Sequence, residues 1–176
     1  MTELQPQAIT IRGAPARTFD RLPAVGGAAP PFCLADGEFR DRTLADYAGK
    51  KKILNIVPSL DTPVCQASAR RFTEAVARRA DTVVLTISAD LPFAQARFCQ
   101  TLPAPNGGWL STFRSPEFGL AYGTLVVEHA LMGLQARAVV VLDEQDLVRH
   151  AQLVPELTQE PDYAAALAAL DHGGGT

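Results

Sequence analysis

The sequence predicts an α/β domain built around a mixed central sheet with flanking helices. Runs rich in β-branched residues alternate with segments whose apolar residues recur every three or four positions, as in amphipathic helices. A further pair of apolar runs near the C-terminus is joined by a short acidic turn, which indicates strands added to the same sheet. The chain has 176 residues and 47% hydrophobic content, enough for one domain with a sizeable core.

The N-terminal part is predicted to form a β-hairpin, a loop and one helical turn. Segments 8–12 and 16–19 flank Gly13-Ala14-Pro15, which is typical of a hairpin. Residues 23–31 are rich in Gly, Ala and Pro and predict a loop. A helical turn after Asp41 is expected to end at Gly49, because glycine suits the left-handed position that follows a helix.

The middle of the chain alternates strand, helix, strand and helix. The apolar run 51–57 predicts a buried strand. From 63 to about 80, apolar residues beginning at Cys65 recur at helical intervals. The run 82–88 is rich in β-branched residues and predicts a second buried strand, and Pro92 suits the first turn of the next helix.

The C-terminal part is predicted to contain two strands between two helices. Ser115 is the expected N-cap of the first helix. Runs 136–142 and 147–153 flank an acidic turn and predict the strand pair. The last helix is expected at 161–170, and the glycine-rich residues 171–176 are expected to form a flexible tail.

Composition restricts the partners and the location that we expect. Residues 1–176 are predicted to form a single domain with an ordered core at 8–170. The net charge is −3 and the pI about 5.6, which favours no nucleic-acid partner. The sequence shows no apolar stretch near the roughly 20 residues of a membrane span and no secretory pattern, so we expect a cytoplasmic protein without a membrane partner.

Cys65 occupies an informative position, where a buried strand passes into a helix through the segment PSLDTPVC (residues 58–65). The first turn of a helix has unpaired amide groups and the positive end of the dipole, and both favour a thiolate. Thr62 can reach the sulfur or cap the helix, while Pro58 and Pro63 stiffen the loop. The alternative is a buried structural cysteine with Thr62 as an ordinary cap.

The other two cysteines have no companion at a diagnostic spacing. Cys99 lies 34 positions after Cys65, and Ser68 stands where a C-x-x-C motif would have its second thiol. Taken alone, Cys99 is expected to pack in the core, and Cys33 is expected to be a small apolar residue. No paired ligand spacing predicts a zinc site.

Arg137 stands within the apolar run 136–142, which is typical of an interior strand. A buried arginine is rare unless it is paired, so its guanidinium should meet an anion or reach solvent. A thiolate is one candidate, and the carboxylate of Asp143 or Glu144 is the other.

Several segments together resemble one known family in order along residues 8–170. The resemblance is to the bacterial thiol peroxidases (the Tpx subfamily of the peroxiredoxins). The matching segments are PSLDTPVC, SADLPFAQARFC, LSTFRSPEFGLAYG, ARAVVVLDE and EPDYAAAL.

This resemblance implies roles for five residues. Cys65 is similar to the family's peroxidatic cysteine, and Thr62 and Pro58 to its pocket partners. Cys99 matches the resolving cysteine, which would form an intrachain disulfide with Cys65. Arg137 matches the arginine that contacts the thiolate.

The resemblance also implies fold, activity and partners. It implies a thioredoxin-like fold with an N-terminal hairpin, a homodimer, and reduction of hydrogen peroxide and organic hydroperoxides without metal, haem or flavin. Thioredoxin is the implied reductant. Two other functions stay open: a thiol–disulfide oxidoreductase acting on proteins, which the missing C-x-x-C disfavours, and a redox sensor or chaperone without multiple turnover.

Overall fold

The computed structural model describes residues 3–102, 104 and 107–171, and it contains a seven-stranded mixed sheet and a separate two-stranded hairpin. The strands are β1 (Ala8–Ile11), β2 (Ala14–Arg17), β3 (Cys33–Ala35), β4 (Asp41–Thr43), β5 (Lys51–Ile56), β6 (Thr82–Ser88), β7 (Gly107–Ser111), β8 (Ala138–Leu142) and β9 (Val148–Leu153). The helices are α1 (Pro63–Val76), α2 (Pro92–Cys99), α3 (Glu117–Ala121) and α4 (Tyr163–Asp171), and a 3₁₀ helix spans Leu44–Tyr47.

The large sheet has the strand order β4-β3-β7-β6-β5-β8-β9. Its centre is parallel, because β6 runs parallel to both β5 and β7. Its two sides are antiparallel, through β8 and β9 on one side and β3 and β4 on the other. The predicted α/β class with a mixed sheet, flanking helices and an N-terminal hairpin is therefore confirmed.

The central strands are buried on both faces. Successive side chains of a strand point to opposite faces of the sheet. Ile53 accordingly shares a cluster with Phe72 of α1, whereas Leu54 lies in the cluster that contains Phe118 of α3. This double burial explains why β5, β6 and β8 appear in the sequence as continuous apolar runs instead of alternating ones.

The element bounds agree with the sequence prediction at some places and differ at others. Strand β6 spans the predicted residues 82–88, and the left-handed conformation expected at Gly49 is present with φ 73°. Helix α1 ends at Val76 instead of 80, because Val76 is the last member of its buried stripe. Strand β2 begins at Ala14 instead of 16, because the turn is confined to Arg12 and Gly13, which both have positive φ.

Three strands of the large sheet were not predicted, and two C-terminal expectations need correction. Strands β3 and β4 have only three residues each, and β7 begins with two glycines. Ser115 does not cap α3; its hydroxyl donates to the Cys33 carbonyl at 2.6 Å, and Pro116 occupies the cap position. Asp171 closes α4 and does not belong to a tail, and residues 172–176 lie outside the described residues.

Within the described ranges, no helix is both long and apolar enough to span a membrane.

Candidate active site

Cys65 lies in the first turn of α1, and its side chain is fully buried, with 0% of the residue exposed. Thr62 is the N-cap in an extended conformation, and Pro63 opens the helix. The Thr62 hydroxyl oxygen accepts from the Cys65 N–H at 3.4 Å, and the hydroxyl donates to the Ser59 carbonyl at 3.2 Å. Thr62 therefore caps the helix while fixing the backbone of the cysteine.

The loop before α1 is held by a carboxylate at the end of the neighbouring strand. Asp90 accepts from the Leu60 N–H at 2.7 Å and from the Ser59 hydroxyl at 2.8 Å. The Ser88 hydroxyl also donates to Asp90, at 2.7 Å. Since β5 and β6 are parallel, their carboxyl ends meet at one edge of the sheet, and Asp90 joins the two ends there.

Arg137 precedes β8, and only 2% of it is exposed. Its Nη2 lies 3.5 Å from Cys65 Sγ. Its Nε and Nη2 both donate to the Leu157 carbonyl, at 3.0 and 2.8 Å. Of the candidate partners for Arg137, which were a thiolate and the carboxylates of Asp143 and Glu144, the guanidinium contacts the sulfur of Cys65.

The two carboxylates considered for Arg137 have other partners. Asp143 is bound by Arg149 at 2.6 Å, and Glu144 lies 3.8 Å from the ammonium of Lys51. Hydrogen bonds from backbone amides and from Arg149 keep the pKa of Asp143 below its usual value despite the burial of the carboxyl. Both carboxylates are therefore accounted for away from Cys65.

A cavity of about 700 Å³ opens beside this arrangement. Pro58, Thr62 and Arg137 are among its lining residues, and Nη1 of Arg137 is buried without a hydrogen-bond partner among the described residues. Much of the remaining wall is apolar and includes Ile11 of the hairpin and Leu157. The cavity is thus lined by Arg137, which contacts the sulfur, and by an apolar wall.

Cys99 is the last residue of α2 and is partly exposed. Cys65 and Cys99 are both free thiols in this structure. They belong to the same apolar cluster, in which Phe98 stacks edge-on against Trp109 with ring centroids 5.1 Å apart. Cys99 therefore packs against the edge of the cluster beside Phe98 but stays partly exposed and is not a core residue. It lies at a helix end, where few hydrogen bonds oppose unwinding.

Cys33 differs from its sequence prediction, because it is exposed on β3 and is not a buried apolar residue. The backbone carbonyl of Cys33, and not its side chain, contacts the rest of the protein here, by accepting the hydrogen bond from the Ser115 hydroxyl. Loss of hydration and the nearby Asp41 carboxylate raise the pKa of the Cys33 thiol. Within the described part of the chain, no three His, Cys, Asp or Glu side chains are grouped as metal ligands.

Two contacts of the site have no counterpart in the sequence prediction. The Leu157 carbonyl, which holds Arg137, is a backbone atom and leaves no signature in residue type. Ser68 was noted only for its spacing from Cys65. It is buried, donates to the Cys65 carbonyl at 3.0 Å and accepts from Asn55 at 3.4 Å, so it connects the first turn of α1 to β5.

Comparison with known proteins gives consistent matches along nearly the whole chain. The family model described as Redoxin matches residues 24–167. A thiol peroxidase of Leptospira interrogans serogroup Icterohaemorrhagiae serovar copenhageni is 45% identical over 165 residues, which cover 93% of this chain and 96% of that protein.

Solved structures match the fold equally well. A peroxiredoxin-like protein from Aquifex aeolicus is 33% identical with a TM-score of 0.85, covering 93% of this chain and 96% of that one. A thiol peroxidase from Chromobacterium violaceum shares the fold at 23% identity with a TM-score of 0.85, covering 94% and 96% of the two chains.

Proposed function

Because this chain belongs to the redoxin family and, within it, to the thiol peroxidases, we propose that it reduces hydrogen peroxide and organic hydroperoxides through the thiolate of Cys65. One observation carries the proposal. Arg137 Nη2 lies 3.5 Å from a fully buried Cys65 Sγ, next to a cavity with an apolar wall. A buried guanidinium beside a thiol favours the ionised, nucleophilic form of the sulfur.

In the first step, the Cys65 thiolate attacks one peroxide oxygen. The S–O bond forms as the O–O bond breaks, which gives a sulfenic acid and an alkoxide or hydroxide that takes a proton and leaves as alcohol or water. The unpartnered Nη1 of Arg137 can donate to the departing oxygen as its charge develops. Thr62 and Pro58 line the approach and keep the peroxide in line with the sulfur.

In the second step, the thiol of Cys99 condenses with the sulfenic acid of Cys65. An S–S bond forms and water leaves, which protects Cys65 from further oxidation. Both cysteines lie in one apolar cluster, and Cys99 ends its helix, so opening the last turn of α2 brings the thiols together. We propose that the dithiol of thioredoxin then reduces the intrachain disulfide by thiol–disulfide exchange.

The assignment is tested with Cys65→Ser, Cys99→Ser and, as the matched control, Cys33→Ser. Cys65→Ser should consume no peroxide with any reductant. Cys99→Ser should consume about one equivalent of peroxide and then stop in the thioredoxin-coupled assay, and Cys33→Ser should behave as wild type. Mass mapping of peroxide-treated wild type should find the Cys65–Cys99 disulfide. Equal loss of the first equivalent in Cys65→Ser and Cys99→Ser would overturn the roles.

We further propose a homodimer in the cytoplasm. An aromatic patch made of Phe39, Phe93 and Phe113 is exposed, and the ring of Phe39 lies 4.9 Å from Phe93 and 6.1 Å from Phe113. Leu91 beside it is 53% exposed. Contiguous exposed rings of this kind favour a protein contact, for which a second copy is the simplest partner. The location is proposed because three cysteines at positions 33, 65 and 99 do not resemble a secreted disulfide framework.

A further inference from the structure

The Glu156 carboxylate lies between the N-terminal hairpin and the loop before α4, and it accepts hydrogen bonds from both. From the hairpin, the Thr10 hydroxyl donates to Oε2 at 2.7 Å, and the backbone N–H groups of Arg12 and Gly13 donate at 3.0 Å. From its own loop, the N–H and hydroxyl of Thr158 donate to Oε1 at 3.0 and 2.7 Å. These bonds keep the pKa of Glu156 well below its usual value, and the bond from the Gly13 N–H makes the largest contribution.

The Thr158 bond has a consequence for the active site, because it fixes one peptide group at both ends. The peptide between Leu157 and Thr158 donates its N–H to Glu156 Oε1 at 3.0 Å. The carbonyl of the same peptide accepts from Arg137 Nε at 3.0 Å and from Nη2 at 2.8 Å. A peptide group is planar, so holding its N–H sets the direction of its C=O.

The guanidinium is therefore aimed by this carbonyl. Nη2 of Arg137 uses its N–H groups on both the Leu157 carbonyl and Cys65 Sγ. If the peptide turned away, the bonds from Nε and Nη2 to that carbonyl would be lost together, and the planar group could rotate away from the sulfur. Hydrogen bonds at the two ends of one peptide also polarise each other, so the carboxylate strengthens the carbonyl as an acceptor.

We infer that Glu156 is a positioning residue for the peroxidase reaction, acting through the Leu157–Thr158 peptide to hold Arg137 against Cys65. The inference rests on the proposed function. The competing explanation is that Glu156 only fastens the hairpin to the body of the protein. The carboxylate accepts hydrogen bonds from both Thr10 and Thr158, so a test has to separate the effect of the bonds from Thr158 from the effect of the bond from Thr10.

The test measures the rate at which Cys65 is alkylated by iodoacetamide as a function of pH, with peptide-level mass spectrometry on the full chain. This rate follows the thiolate population at Cys65 and needs no peroxide. Glu156→Gln keeps the shape of the side chain but cannot accept from all five donors. Its pH–rate midpoint should rise by about one unit, so that the alkylation rate is about 10-fold lower at pH values below both midpoints, the size expected from weakening one charge-assisted hydrogen bond.

Two control variants separate the explanations. Thr10→Val removes only the hydroxyl donor of the hairpin and should leave the midpoint where it is in wild type. Asp143→Asn changes another carboxylate that organises a loop, through the N–H groups of Gln145 and Leu147 at 2.9 Å, and should lower stability without moving the midpoint. If Glu156→Gln does not fold, Glu156→Asp retains the charge, is too short to serve both segments, and should move the midpoint in the same direction.

Each outcome decides the inference. A raised midpoint in the Glu156 variant with unchanged Thr10→Val and Asp143→Asn supports it. A midpoint for Glu156→Gln within about 0.2 units of wild type overturns it, because such a difference lies within the error of a thiol titration. An equal shift in Thr10→Val also overturns it, because that shift would reflect loosening of the hairpin. Failure of wild type to consume peroxide would refute the proposed function, whereas the alkylation profile would still decide the contact between Glu156 and Arg137.

Discussion

Replacing Arg137 by Met removes the guanidinium from Cys65 while keeping an unbranched side chain of similar length. Cys65 is 0% and Arg137 2% exposed, so water cannot substitute for the lost N–H donors. We expect the first, peroxide-consuming step to slow, and reduction of the disulfide by thioredoxin to change little. Only the first step needs the Cys65 thiolate held in place.

The size of the effect follows from the contact between Nη2 and Sγ at 3.5 Å. Two unit charges about 4 Å apart attract by about 4 kcal/mol at an effective dielectric constant near 20, and the desolvation of both groups offsets part of this. Hydrogen bonds to charged groups contribute about 1.5–3 kcal/mol net. A loss of about 2 kcal/mol corresponds to an oxidation rate about 30-fold lower.

The assay is stopped-flow mixing of reduced protein with peroxide, followed by intrinsic fluorescence. The single tryptophan, Trp109, belongs to the same apolar cluster as Cys65 and Cys99, so its emission should follow their oxidation. Arg149→Met is the matched control, since Arg149 contacts Asp143 at 2.6 Å and not the cavity. A rate for Arg137→Met within about twofold of wild type would refute the reasoning, since it is below the smallest effect expected for such a bond.

Three further predictions concern stability, pH and assembly. Gly123→Ala should lower the free energy of unfolding in urea by about 3 kcal/mol or more, because φ is +68° and a Cβ would lie 2.2 Å from a backbone oxygen. Gly133→Ala, with φ +94° and no atom within 4 Å of the added Cβ, should lower it by only about 1–2 kcal/mol. Equal losses in the two variants would contradict this. Burial lowers the pKa of His150 in the folded protein. The contribution of His150 to stability is therefore complete above its pKa in the unfolded chain, near 6.5, and is lost as the pH falls through its pKa in the folded protein. His150→Gln should lose less stability than wild type between pH 7 and 5, and parallel losses would count against this reasoning. Phe93→Asp should shift the protein to monomer in size-exclusion chromatography with light scattering. Met132→Asp, which changes an equally exposed apolar residue, should not. A dimer unaffected by Phe93→Asp would show that the aromatic patch is not the dimer contact.

The sequence predicts those strands that are long and buried on both faces. The run 82–88 forms β6 with the predicted bounds, since uninterrupted burial leaves an uninterrupted apolar run. Strands β3 and β4 escape prediction, because three residues are too few to establish a period of two. Ser115 also shows the limit of local patterns, because its hydroxyl serves a carbonyl 82 positions away instead of the adjacent helix.

The candidate site divides in the same way between local and distant interactions. An arginine inside an apolar run should meet an anion or reach solvent, which predicts a partner for Arg137 but leaves a thiolate and the carboxylates of Asp143 and Glu144 as alternatives. Glu156 gave no such signal. Its bond to the Arg12 N–H spans 144 positions, so the role of the carboxylate depends on the tertiary packing of the hairpin. Backbone acceptors such as Leu157 O remain outside any analysis of residue types.

The exposure of Cys33 separates two properties that are often assumed to go together in thiols. Cys33 is accessible on β3, yet its raised pKa leaves little thiolate at neutral pH, while Cys65 is inaccessible to large reagents. A bulky maleimide should label Cys33 before Cys65, because access and not thiolate content limits that reaction, whereas peroxide is proposed to react at Cys65 and not at Cys33. Cys33 is consequently an attachment point for a surface probe that leaves Cys65 unoccupied.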